Sequence, residues 1–104
     1  MNQDITVHNL KERLDKKTIT LIDVREEWEF EYCKIKRSKN IPMDLIPEKL
    51  FLFNNKSEFA IICHSGFRSK HVTDFLQKNL ISAVNVIGGI DEWALKIDSE
   101  MKRY

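Results

Sequence analysis

The chain has 104 residues, 42% hydrophobic and 10% aromatic, enough for one ordinary domain around one packed core and too few for two. Seventeen basic against sixteen acidic side chains leave a formal charge of +1, which excludes a bulk electrostatic pull toward nucleic acid or a membrane surface. Two cysteines without a CxxC spacing exclude a metal knuckle and a secreted disulfide scaffold, and His8, His64 and His71 add no repeated ligand spacing, so no metal is expected.

The N-terminal MNQDITVHNLKERL has no apolar core of signal-peptide length, and apolar runs such as Leu50 to Phe53 are far too short to span a bilayer. A cytoplasmic protein with free thiols and no membrane contact is expected. No repeat, low-complexity stretch or Gly/Ser/Pro-rich linker divides the chain, so residues 1–104 read as a single domain.

Val7, Leu10 and Leu14 fall at i, i+3 and i+7 behind a Thr6 cap, which predicts a short amphipathic helix ending near Lys16 and Lys17. The run TITLIDV, residues 18–24, is too short for a helix and too apolar for an exposed edge, and reads as a buried parallel strand. From Glu26 to Tyr32 a short helix is expected, with Trp28 or Phe30 turned inward. Asn40, Ile41 and Pro42 read as a short strand stopped by proline, and Leu45 to Phe53 as a helix or helical turn.

Phe59, Ala60, Ile61 and Ile62 form a second continuous apolar strand, followed at once by Cys63 and then by a helical pattern at Val72, Phe75 and Leu76. Residues 83–87 read as a third strand, Gly88 and Gly89 as a turn, and Ile90, Trp93, Ala94 and Ile97 as one face of a last helix. Alternating strands and helices imply an α/β fold: a central parallel β-sheet flanked by helices on both faces, with ligands at the carboxyl ends of the strands.

Cys63 lies at such an end. A loop between a strand and a helix aims backbone N–H groups at one point, and the helix that follows adds its positive end. The thiolate is the nucleophilic form of cysteine, and at an ordinary pKa of about 8.5 little of it exists at neutral pH until such surroundings favour it. Gly66 permits the tight backbone a cradle around sulfur requires, Arg68 supplies a cation near its exit, and His64 offers a titratable one. Taken singly, these residues also fit a buried strand-end cysteine, a turn glycine and a solvated arginine.

Taken together, Cys63-His64-Ser65-Gly66-Phe67-Arg68-Ser69 resembles the active-site loop of the rhodanese-like family, Cys-x-x-Gly-x-Arg-Ser. Leu21 to Glu26 with Glu29 and Phe30 resembles the family's Asp-Val-Arg-Glu segment, Asn40 to Pro42 its next strand, and Val86 to Gly89 with Trp93 its C-terminal signature. The chain departs from the family where Gly-His-Ile and Gly-Ala are usual, having Cys33-Lys34-Ile35 and Arg37-Ser38.

The resemblance implies a thiosulfate sulfurtransferase that carries sulfur as a persulfide on Cys63, with His64, Ser65, Gly66, Phe67 and Arg68 binding substrate and no organic cofactor. It implies a small anionic donor such as thiosulfate, and a thiol, cyanide or protein acceptor. Asp23 and Arg25 could be read as catalytic, but by resemblance they brace the fold through an ion pair or loop hydrogen bonds. Four residues separate Cys63 from Arg68, the spacing of the family's sulfurtransferases, whereas related phosphatases and arsenate reductases have five. Trp28 and Trp93 read as core residues, and a redox partnership of Cys33 with Cys63 is disfavoured. Within the same family, a non-catalytic binding module or a persulfide carrier docking on a partner protein is the rival reading.

Overall fold

The computed structural model describes residues 4–54 and 56–104. Five strands form one fully parallel sheet in the order β1-β5-β4-β2-β3, where β1 is Asp4–Ile5, β2 Thr20–Asp23, β3 Ser38–Asn40, β4 Phe59–Ile62 and β5 Ala83–Val86. The helices are α1 (Val7–Asp15), α2 (Glu27–Tyr32), α3 (Phe67–Lys78) and α4 (Gly89–Lys96). None of them is long and apolar enough to cross a membrane.

The continuously apolar strands are explained by burial on both faces. Successive residues of β4 alternate between two clusters: Ala60 and Ile62 pack with Leu10, Leu14, Ile90 and Trp93 of α1 and α4, while Phe59, Ile61 and then Cys63 pack with Val72 and Leu76 of α3. Thr6 caps α1 by accepting the Asn9 N–H at 3.1 Å, and Val7, Leu10 and Leu14 are its buried stripe.

One expectation is corrected, one is narrowed, and one strand is new. The inward position of α2 belongs to Glu29, 4% exposed, whereas Trp28 is 63% exposed and Phe30 only half-buried. The six-residue helix has one deeply buried position, and the carboxylate takes it because four hydrogen bonds await it there. Of the helix or helical turn expected over Leu45 to Phe53, the structure has turns, two short 3-10 segments, Met43–Leu45 and Pro47–Leu52, separated at Ile46. The edge strand β1, paired in parallel with β5 through Asp4 and Asn85, has no counterpart among the expected strands, since two residues carry no periodicity.

The end of β2 is locked by the pair formed by Asp23 and Arg25, both fully buried. The guanidinium donates to Asp23 at 2.7 and 3.0 Å, to the carbonyls of Cys33 and Glu29 at 2.6 and 3.2 Å, and to the Tyr104 hydroxyl at 2.9 Å. Burial by itself lowers the pKa of Arg25, but the bonds and charge of Asp23 outweigh it and raise it. Asp23→Asn leaves that guanidinium without its counter-charge and is expected to cost about 3–5 kcal/mol, read as a lower urea midpoint at an unchanged m-value.

Candidate active site

Cys63 follows β4 directly and α3 begins four residues later, with Gly66 as its N-cap at φ +107°. An α-helix leaves its first N–H groups without intrahelical partners. Here the cysteine sulfur takes the part of a capping side chain. Cys63 Sγ accepts the N–H of Gly66 at 3.1 Å and that of Ser69 at 3.3 Å, and lies 3.2 Å from the Ser69 hydroxyl oxygen. Two amides converging on one sulfur suit an anion.

The far side of the loop is held by the next helix. Ile90 and Asp91, in the first turn of α4, donate to the carbonyls of Cys63 and His64 at 2.9 and 3.0 Å. Such close approach requires Gly89: a Cβ there would stand 2.3 Å from the Cys63 oxygen and 2.6 Å from the His64 oxygen. The expected Gly88-Gly89 turn is therefore the clamp of the cysteine loop as well as a chain reversal.

Arg68 points toward α2. It donates to both oxygens of Glu29, at 2.7 and 2.9 Å, and Glu29 also accepts the Glu26 N–H at 2.9 Å and the Tyr104 hydroxyl at 2.8 Å. The Arg68 bonds, working against burial and aided by Glu26 and Tyr104, hold the Glu29 carboxyl at a pKa of about 2. Glu29 in turn raises the pKa of Arg68, and the charge of Cys63 adds to that rise. The Tyr104 hydroxyl, bonded to both Arg25 and Glu29, is pushed up to about 12, chiefly by burial. This tyrosine also stacks on His64, ring centroids 4.2 Å apart.

Residues 6–96 match the rhodanese-like domain. The chain belongs to the rhodanese-like family. It is 36% identical to YtwF of Bacillus subtilis, provisionally named a sulfurtransferase, over 88% of this chain and 89% of that one. YrkF of the same bacterium, provisionally named a sulfur carrier protein, is 29% identical over 91% of this chain, which spans 52% of that protein. The crystal structure of a rhodanese-like domain protein from Staphylococcus aureus is 37% identical and superposes with a TM-score of 0.85, covering 100% of this chain and 99% of that one.

Within this rhodanese-like loop Gly66 donates its N–H to Cys63, while the Arg68 guanidinium is paired with Glu29 of α2. His64 is turned onto Tyr104, Ser65 is exposed, and Phe67 is 74% exposed with its ring edge-on to His71 at 5.0 Å. Trp93 is buried, whereas Trp28 packs edge-on against Tyr104 at the surface and is not core. Cys33 is a free thiol in the cluster with α1 and α4, on the opposite face of the sheet from Cys63. Among the described residues no group of three His, Cys, Asp or Glu could hold a metal ion.

Sequence reasoning leaves Glu29, Ser69, Asn85, Gly89 and Tyr104 outside the site. Ser69 closes the loop motif and Glu29 lies in the acidic segment that resembles the family's, so both are within its reach. Tyr104 lies beyond the family match, and no sequence signal ties it to residues 25 and 29.

Two outcomes are expected. Glu29 has a folded pKa of about 2, below its unfolded value near 4.5, so the unfolded chain binds the extra proton between them. Its contribution, on the order of 3 kcal/mol, is present above pH 4.5 and lost as pH falls toward 2. Urea unfolding across that range shows a flatter dependence in Glu29→Gln. Separately, Gly89→Ala costs at least about 2 kcal/mol in the same assay. Gly88→Ala, also at positive φ but with its closest contacts in the Glu92 side chain and none of them backbone, costs less.

Proposed function

We propose that this chain is a sulfurtransferase that moves a sulfane sulfur through a persulfide on Cys63. The observation that carries the reading is the pair of N–H groups, from Gly66 and Ser69, aimed at the Cys63 sulfur from the start of α3. In the first step the thiolate attacks the outer sulfur of the donor and the donor's S–S bond breaks. With thiosulfate, sulfite leaves with the bonding electrons and Cys63 keeps an anionic persulfide. In the second step an acceptor thiolate or cyanide attacks the terminal sulfur, and the thiolate of Cys63 is the leaving group. The two loop amides are placed to stabilise negative charge on sulfur in both steps.

The bidentate pairing of Arg68 with Glu29 weakens the pull of that cation on a dianion such as thiosulfate. A persulfide delivered by another protein carries less charge, and the exposed Phe67 ring beside the apolar cleft of Met43, Ile46, Pro47 and Phe75 suits a protein surface. These features, with the likeness to a protein named as a sulfur carrier, favour a second reading in which the chain is a persulfide carrier with a protein partner.

Mass spectrometry after exposure to thiosulfate is expected to show one added sulfur atom at Cys63 in the intact chain and none in Cys63→Ala, which also loses thiosulfate:cyanide turnover. Loading by a cysteine desulfurase but not by thiosulfate favours the carrier. A folded chain that neither donor loads refutes both readings.

A further inference from the structure

Asn85 is out of keeping with its strand. β5 is buried along its whole length and its other members, Ala83, Val84 and Val86, are apolar, yet Asn85 is 6% exposed. A buried amide costs free energy unless its groups are bonded. This one meets the cysteine loop twice: Nδ2 donates to the Gly66 carbonyl at 3.3 Å, and Oδ1 accepts the Ser69 hydroxyl at 2.5 Å.

Those two bonds decide the direction of a third. A carbonyl only accepts, so the contact with Gly66 identifies the nitrogen end of the amide and leaves the oxygen end facing Ser69. A serine hydroxyl has one hydrogen, and here it is committed to Asn85. Ser69 Oγ therefore turns a lone pair toward Cys63 Sγ, 3.2 Å away. A thiol can donate its S–H to that lone pair, whereas a thiolate meets it as one acceptor meets another.

We propose that Asn85 is a positioning residue acting through Ser69: it holds the Ser69 hydroxyl as the acceptor of the Cys63 S–H, and so restrains ionisation of the sulfur that the loop amides favour. Of the charged and titratable groups around this end of the sheet, Arg68 of α3 is bonded to Glu29 of α2 although its charge still reaches Cys63, and His64 of the loop stacks on Tyr104. Asn85 thus acts on the sulfur through the hydroxyl that contacts it. The inference rests on the proposed function only for the role of Cys63 as the nucleophile.

Alkylation of Cys63 by iodoacetamide, followed at its own peptide by mass spectrometry across pH, reads the thiol without any sulfur transfer. Asn85→Ala frees the Ser69 hydroxyl to turn onto the sulfur, and Ser69→Ala removes the oxygen that receives the proton. Below the midpoint pH of the parent chain both variants are expected to alkylate about fivefold faster, the equivalent of one net hydrogen bond, with the same limiting rate at high pH. Slower alkylation of Ser69→Ala in that range, which means that the hydroxyl donates to the sulfur, overturns the proposal. So does an unchanged profile in both folded variants. If Asn85→Ala fails to fold, the direction of the Ser69→Ala shift decides alone. Variants that behave as expected in a chain that no sulfur donor loads refute the proposed function and leave the role of Asn85 standing.

Discussion

The carbonyls of Cys63 and His64 accept the N–H groups of Ile90 and Asp91, and the shape of the site depends on that join. Each side satisfies the other. A strand that ends inside the molecule must find partners for the carbonyls beyond its last ladder bond, and a helix start must find acceptors for its first N–H groups. Because α4 supplies the donors, the loop is anchored from behind and its own amides, from Gly66 and Ser69, face the sulfur. Gly89 permits the contact, since any side chain there would collide with the backbone it joins.

Charge is managed by pairing. Asp23 with Arg25 and Glu29 with Arg68 are two ion pairs at the same end of the sheet, linked by one phenol: Tyr104 accepts from Arg25 and donates to Glu29. Neither cation is left to act as an open anion site. The direct contacts of the sulfur are with backbone dipoles and one hydroxyl, which hold a single atom closely and add no net charge. Such an arrangement discriminates by proximity and shape more than by long-range attraction.

Much of this fold is legible in the amino-acid sequence. The strand of residues 59–62 ends where the apolar run ends, the Thr6 cap starts α1, and the glycine pair opens α4. These features depend on neighbours along the chain, and local rules of burial and capping apply to them directly. Trp28 defeats such rules because size and apolarity argue for the interior, while the single deep position of α2 answers to a charge 39 residues away. Residues 43–53 form 3-10 turns, the second opened by Pro47 and kinked at a non-helical Lys49. The strand of two residues, β1, has no pattern to read and forms because β5 offers it an edge.

Side-chain chemistry at short spacing is enough to specify the alternation of elements, the two-sided burial of the sheet and the place of Cys63 at a strand's carboxyl end before a helix. It does not specify that Arg68 faces Glu29, that Tyr104 bridges two ion pairs, or that Asn85 reaches the hydroxyl beside the sulfur. Those contacts join residues 16 to 79 positions apart and exist only in the folded chain. They arise where parallel strands bring distant segments to one edge, and no local rule states which partners will meet there.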